Sequence, residues 1–349
     1  MNPALRVISP GFLTAIQDLG RPGYQHLGIP VSGALDPVSL QAANALVGNA
    51  PGSGALEVTY VGPTLGIEAD DVRMSFVGAK AVIEILPNIG ASAGTLIETM
   101  ESIHLRRGDI VRVGSLRDSK TLYVAVEGGF DIVPVLGSVS TYIRGSIGGW
   151  QGRSLIAGDL LPLVRNTAAV HDEFRLEGLD LSAPERFRVI AGPQSDYFTE
   201  RALEDFFDNQ YTVDADSDRM GMRLDGRQVT HARGFNITSD AVAPGSIQIP
   251  GDGKPIVLLA DRQTIGGYPK IATVISADLP ALARLPIGAK LSFEPVTMDD
   301  AVAARRRLLA EIGSISGKIV PLTRAGMDTR LRDVNLISGI VDGHGDWAA

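Results

Sequence analysis

At 349 residues, 44% hydrophobic and 21% charged, the chain has the composition of an average folded protein and enough length for two domains. A formal charge of −8 without a basic stripe excludes a nucleic-acid reader, which needs clustered Lys and Arg, but leaves room for an anionic small molecule held by a few local cations. The absence of cysteine removes thiol nucleophiles, thiolate zinc sites and disulfides together. The N terminus, MNPALRVISPGFLTAI, has no basic region leading into a long apolar core, and no apolar run approaches the roughly 20 residues a bilayer requires. A cytoplasmic chain with no membrane segment is expected.

In chain order, LRVI opens the first predicted strand at 5–8. DPVSLQAANALVG predicts a helix with Asp36 as N-cap, Pro37 at its first position and Gly48 as its stop. VRMSFVG, AVIEIL, DIVRVG and TLYVAVEG follow as strands, then RFRVIAG, IVLLA, ATVIS and KLSFEPV after residue 185. Gly, Pro or Asp punctuates these runs, and several are continuously apolar, as in sandwich or barrel interiors. A second helix is expected over 196–207, and a third opens at Thr297, where Asp300 completes a capping box. Arg305, Arg306 and Arg307 splay over about 200° of that helix and form a solvated face, not a groove reader. The Pro-bearing, charged stretch at 171–186 marks the expected boundary between units, and the segment after 312 is low in strand signal.

Several chemistries are absent. There is no phosphate-binding G-x-x-x-x-G-K-[ST] loop, no G-x-G-x-x-G after a strand and no G-x-S-x-G elbow. The five histidines have no metal-ligand spacing, so no metal is expected. None of the lysines sits between methionines as in a biotin carrier, so the chain is expected to carry no covalent biotin.

Two polar clusters stand out against this background. QDLGRPGYQHLGIPVSGALDP, 17–37, crowds Asp18, Arg21, Ser32 and Asp36 into a loop stiffened by prolines and opened by glycines. Asp36 is explained equally by capping, and Asp18 with Arg21 by closure of a turn. LLADRQTIGGYPKI, 258–271, sets Asp261, Arg262, Gln263, Tyr268 and Lys270 at the end of a buried strand. Arg262 could fork onto a carboxylate or phosphate, Asp261 could act as a base, and Lys270 could steady a developing oxyanion. The plainer alternative is an internal Asp261–Arg262 ion pair with Lys270 in solvent. DSDRMGMRLDG adds a hairpin with Asp218, Arg219 and Arg223 near its bend.

With QDLGRPGYQHLGIPVSGALD, NALVGN, DRMGMRLDG, APGSIQIPGDGKPIVLLADRQTIGGYPKIATVISADL and GAKLSFEPVT, the sequence resembles the carboxyltransferase subdomain A/B family, also called allophanate hydrolase subunit 2. The resemblance runs from about residue 7 to 310. It implies a mostly β fold of two cyclophilin-like β-barrel subdomains with a few peripheral helices, placed at 1–180 and 181–312, with a tail at 313–349. It implies the C subunit of a multi-subunit, ATP-dependent 5-oxoprolinase that opens the lactam to glutamate. B-type and A-type homologues are its implied partners, with ATP at or across a partner interface. The alternatives within the family are a biotin-dependent carboxyltransferase acting on urea or a related amide, and a non-catalytic partner of a kinase-inhibitor-like protein. Each substrate presents a planar C(=O)–N–H unit. Asp261, Arg262, Gln263 and Lys270 are then the candidate catalytic groups, and Arg21, Asp18, Asp36, Tyr268, Arg219 and Gln248 the candidate substrate-binding ones.

Overall fold

The strand Arg117–Val126 shows why the apolar runs do not alternate. In the computed structural model, which describes residues 2–86 and 95–322, its Leu122, Val124 and Val126 enter one core, while Tyr123 and Ala125 pack under the helix Pro37–Leu46. A strand covered on both faces has no solvent side on which polar residues would alternate.

The N-terminal half is built from two sheets around a single core. One has six strands, in the order Leu160–Pro162, Ala4–Ser9, Thr64–Ile67, Ile110–Val113, Ile83–Leu86 and Thr95–Ile97. The other has seven, in the order Leu13–Gln17, Ala55–Thr59, Arg117–Val126, Asp71–Lys80, Glu101–Arg106, Phe174–Leu176 and Ile319–Pro321. Leu5, Leu65 and Val111 of the first meet Ile16, Leu56, Met74 and Leu122 of the second.

The second half is a closed seven-stranded barrel: Arg186–Ala191, Lys270–Val274, Ser246–Gln248, Ile256–Leu258, Gly221–Asp225, Tyr211–Val213 and Lys290–Pro295. Parallel pairing of Arg186–Val189 with Ser292–Pro295 closes the ring and leaves no free edge. Phe187, Phe206, Tyr211 and Phe293 fill its interior, with Phe206 stacked on Phe293 at 5.1 Å between ring centres. The fold is mostly β with few helices.

Local signals set the helix ends. Asp36 accepts from the Val38 and Ser39 amides, and Thr297 with Asp300 forms the reciprocal box at the start of Met298–Ser314. The second helix starts later than its sequence suggests, at Glu200, because Thr199 takes the cap position and accepts from the Ala202 amide at 3.1 Å. The segment after 312 is not separate from the start. Met298–Ser314 runs past that position, and Ile319–Pro321 pairs with Phe174–Leu176, returning the chain to the N-terminal sheet and satisfying its backbone there. Residues 323–349 of the expected tail lie outside the described residues. Among the described residues no helix is long and apolar enough to cross a membrane.

The loop before Leu160–Pro162 is held by Arg153, which forks onto both oxygens of Asp159 at 2.7 and 2.8 Å. The fork holds the Asp159 carboxyl down at about 2, against 3.8 ordinarily. A carboxylate depressed in the folded state contributes stability above its unfolded value, and that stability is lost as pH falls through the folded one. The stability deficit of Arg153→Met, measured by urea unfolding, is therefore expected near neutrality and should shrink toward zero at about pH 2.

Candidate functional site

Glu57 is a single acid in the apolar strand Ala55–Thr59, and it faces the junction of the two halves. One of its oxygens accepts from the Tyr123 hydroxyl at 2.5 Å and the Leu35 amide at 2.8 Å. The other pairs with Arg219 from the barrel. Arg219 also donates from Nε to Asp261 at 2.8 Å, and from Nη2 to Asp261 at 3.2 Å and to the Gly33 carbonyl at 2.6 Å. Burial works against the Arg219 charge, but Asp261 and Glu57 outweigh it and hold its pKa above the ordinary value. Burial, with the charges of Glu57 and Asp36, pushes the Tyr123 phenol well up.

Ser32 donates to Asp261 from the left-handed backbone region, φ 57°, which few non-glycine residues occupy. Gly33, next to it, lies at φ 83°, and a Cβ there would come within 2.8 Å of the Gly20 nitrogen. The 17–37 loop thus folds back on itself and reaches the 258–271 turn, with the Ser32 amide donating to the Ala260 carbonyl at 3.2 Å.

Four of the predicted groups, Asp18, Asp36, Asp261 and Arg219, are occupied within this framework. Asp18 accepts from the Gly20 and Val139 amides and from the Ser138 and Ser140 hydroxyls, so it fastens the loop to 138–140. Asp36 caps its helix and pairs with Arg284 at 2.7 Å, which leaves it no free oxygen for a substrate. Asp261 has both oxygens engaged by Ser32 and Arg219, so it is an anchor, not a free base. Its partner is Arg219 and not Arg262, and Lys270 is buried, so the plainer alternative read from the sequence does not hold.

Three cations keep unused capacity. Arg21 is 1% exposed and donates to the Ser140 and Val135 carbonyls, while its buried Nη1 has no partner among the described residues. Burial lowers its pKa, and the nearby charges of Asp18 and Asp261 oppose that shift. Arg262 is 2% exposed with only the Val242 and Leu259 carbonyls as partners, and burial pulls it down to about 10. No carboxylate pairs with it among the described residues. Lys270 is also 2% exposed and donates to the half-exposed Asp240 at 2.7 Å and to the Ala241 carbonyl at 3.2 Å.

Arg262 and Lys270 therefore grip one short segment, 240–242, which pairs with Ile265–Gly266. Gln263 donates to Gln248 at 3.1 Å beside them, and a Cβ on Gly266 would lie 2.5 Å from Gln248 Nε2. A side chain there would have to displace the Gln248 amide. Tyr268 is partly exposed at the rim.

Sequence reasoning missed Glu57, Arg284 and Lys120. A lone acid in an apolar strand is the signal that could have found Glu57, since a buried carboxylate requires a partner. Also missed was a cleft of about 900 Å³ between 78–82, 118–119, 179–183 and Arg284, which none of the ten predicted residues lines. Among the described residues no cluster of three or more acidic or histidine side chains is placed to hold a metal.

Comparison with known proteins agrees with this architecture. Residues 27–295 match the family model "Carboxyltransferase domain, subdomain A and B". The chain is 33% identical to the 5-oxoprolinase C subunit of Escherichia coli over 86% of its length and 94% of that protein's. It is 36% identical to the 5-oxoprolinase C subunit of Haemophilus influenzae over 84% of its length and 91% of that protein's. The solved urea amidolyase of K. lactis superposes with a TM-score of 0.80 at 28% identity, covering 92% of this chain and 21% of that much longer one. The two-sheet unit, the closed barrel and the loops that join them are thus those of a known architecture, and the chain belongs to the carboxyltransferase subdomain A and B family.

Proposed function

We propose that this chain is the C subunit of a cytoplasmic 5-oxoprolinase and works in a complex with partners of the A and B types. The match to proteins of that name along nearly their whole length is the observation that carries the reading. The site supports it in chemical terms. A lactam needs donors for its oxygen as charge builds there, and a polar amide to orient its N–H. Arg262, buried with only carbonyl partners, and Lys270, buried and tied to the half-exposed Asp240, supply the donors. The Gln263–Gln248 pair supplies the amide and Tyr268 a wall. Arg21, with Nη1 free, suits the substrate carboxylate or a phosphate. Asp261 and Arg219 fix the backbone from which Arg262 and Gln263 project. ATP, used by the complex, would activate the lactam carbonyl.

The likeness to urea amidolyase favours a second reading, carboxyl transfer to urea or a related amide, through the same donors. Reconstitution decides between them. The chain with its partner proteins, 5-oxoproline and ATP is expected to release glutamate. Carboxylation of urea with a biotin carboxylase and carrier, and no glutamate, would establish the second reading. Tight partner binding with neither turnover would leave a binding module.

A further inference from the structure

Both candidate donors lie beneath one strap of chain. Within residues 232–244 only Val242 is buried and Ile237 half-buried; the rest are exposed. Among the described residues, both acceptors of Lys270 Nζ come from this strap: the Asp240 carboxylate at 2.7 Å and the Ala241 carbonyl at 3.2 Å. Arg262 Nε donates to the strap as well, to the Val242 carbonyl at 3.2 Å. With both side chains 2% exposed, strap and barrel together shut these nitrogens off from solvent. The cover is lightly held. Its ladder with the turn is two residues long, Asp240 opposite Gly266 and Ala241 opposite Ile265. The Ile237 amide adds a bond to the Gly267 carbonyl at 2.9 Å, and the Val242 amide one to the Thr264 carbonyl at 3.2 Å. The ends are fixed, by the Ala232 amide on the Tyr197 carbonyl at 2.7 Å and the Gly245 amide on the Leu258 carbonyl at 2.8 Å. Phe235 rests on Gly251, where a Cβ would come within 3.1 Å of its ring.

We infer that 232–244 is a lid over the site and Asp240 its latch: in the empty chain the Asp240 carboxylate holds the place on Lys270 that the lactam oxygen takes in turnover. This rests on the proposed function in taking Arg262 and Lys270 as the oxygen donors. Latch and substrate then compete for one ammonium. The exchange is feasible because Asp240 is half-exposed, so water can solvate it once released, while the substrate oxygen replaces it on the buried Lys270. A chain whose site is open only part of the time binds its ligand more weakly, in proportion to the open fraction. Weakening the latch should therefore tighten apparent binding, and locking the strap should abolish it.

The chain has no cysteine, so one disulfide can be placed without competing pairs. Ala241 and Ile265 are both exposed and directly opposite. Opposed residues of an antiparallel pair lie about 4.5–5.5 Å apart at Cα, within disulfide reach. In the reconstituted complex, oxidised Ala241→Cys/Ile265→Cys is expected to turn over 5-oxoproline about tenfold or more slowly at low substrate, because the open fraction falls, and to recover on reduction. Asp240→Asn should lower the KM for 5-oxoproline by up to about fivefold, the scale of an exposed ion pair. Two readouts do not depend on turnover. Acetic anhydride should acylate Lys270 in the reduced double variant and spare it in the oxidised one, as read by peptide mass spectrometry. In the unmodified chain, the Ile237 and Val242 amides should exchange with deuterium well before the Val274 amide, which is bonded to the Gly245 carbonyl in the barrel. Equal turnover in the oxidised and reduced forms overturns the inference, as does a KM unchanged or raised by Asp240→Asn. So do strap amides that exchange as slowly as Val274. If the complex does not open 5-oxoproline, the proposed function fails, while acylation and exchange still decide whether the strap opens.

Discussion

Arg219→Met is expected to cost about 3–5 kcal/mol of folding stability, the scale for removing one partner of a buried ion pair. The loss comes less from the missing attraction than from what stays behind. Glu57 and Asp261 are both nearly inaccessible, and the Tyr123, Leu35 and Ser32 donors do not neutralise them. Arg219→Lys should recover only part of the loss. A lysine is a single point charge and cannot serve Asp261, Glu57 and the Gly33 carbonyl together, as the planar fork does. Because the cluster ties the two-sheet unit to the barrel, the variant should also unfold less cooperatively, with the halves melting apart. Guanidinium unfolding followed by two probes, one in each half, measures both effects. A deficit under about 1 kcal/mol would mean that this cluster behaves as exposed pairs do.

Lys270→Met and Arg262→Met should each reduce turnover by about 10²–10³ with the fold intact, as for loss of one oxyanion donor. Stability should change little in the first, because Asp240 is half-exposed and water can replace the ammonium. The second removes a buried charge that has only carbonyl partners, so it should be close to neutral for folding. The combination of large activity loss and small stability loss is the mark of groups kept for chemistry. A chain that only sequesters a partner would tolerate both changes and fail instead on surface substitutions. Initial rates in the reconstituted complex, with melting temperatures as control, separate the two cases.

Much of this was legible in the sequence, for local reasons. Asp36–Pro37, Thr297–Asp300 and the apolar runs each fix their own element, because capping and strand formation depend on residues a few positions apart. The polar turn at 261–270 was legible too, since five different functional groups beside two glycines are unusual for a plain connection. Partnerships were not. Asp261 looked paired with its neighbour Arg262 or free to act as a base, but Arg219 reaches it across 42 positions and Glu57 joins across 162. Asp18 and Asp36 shared the glycine-rich loop with Arg21, and spacing alone could not tell which carboxylates were saturated by amides and hydroxyls. Lys120 gave no signal because it is buried where its strand end meets a segment 164 positions away, its amide donating to the Arg284 carbonyl.

The whole account depends on the 258–271 turn being the place where the small carbonyl compound sits. Crystals of the reconstituted complex soaked with 5-oxoproline, or trapped with glutamate, test that directly. The account predicts ligand oxygens within hydrogen-bond distance of Arg262 and Lys270, beside Gln263. Ligand confined to the cleft lined by 78–82, 118–119 and 179–183, with Arg262 and Lys270 still bound only to the 240–242 segment and the Leu259 carbonyl, would contradict it.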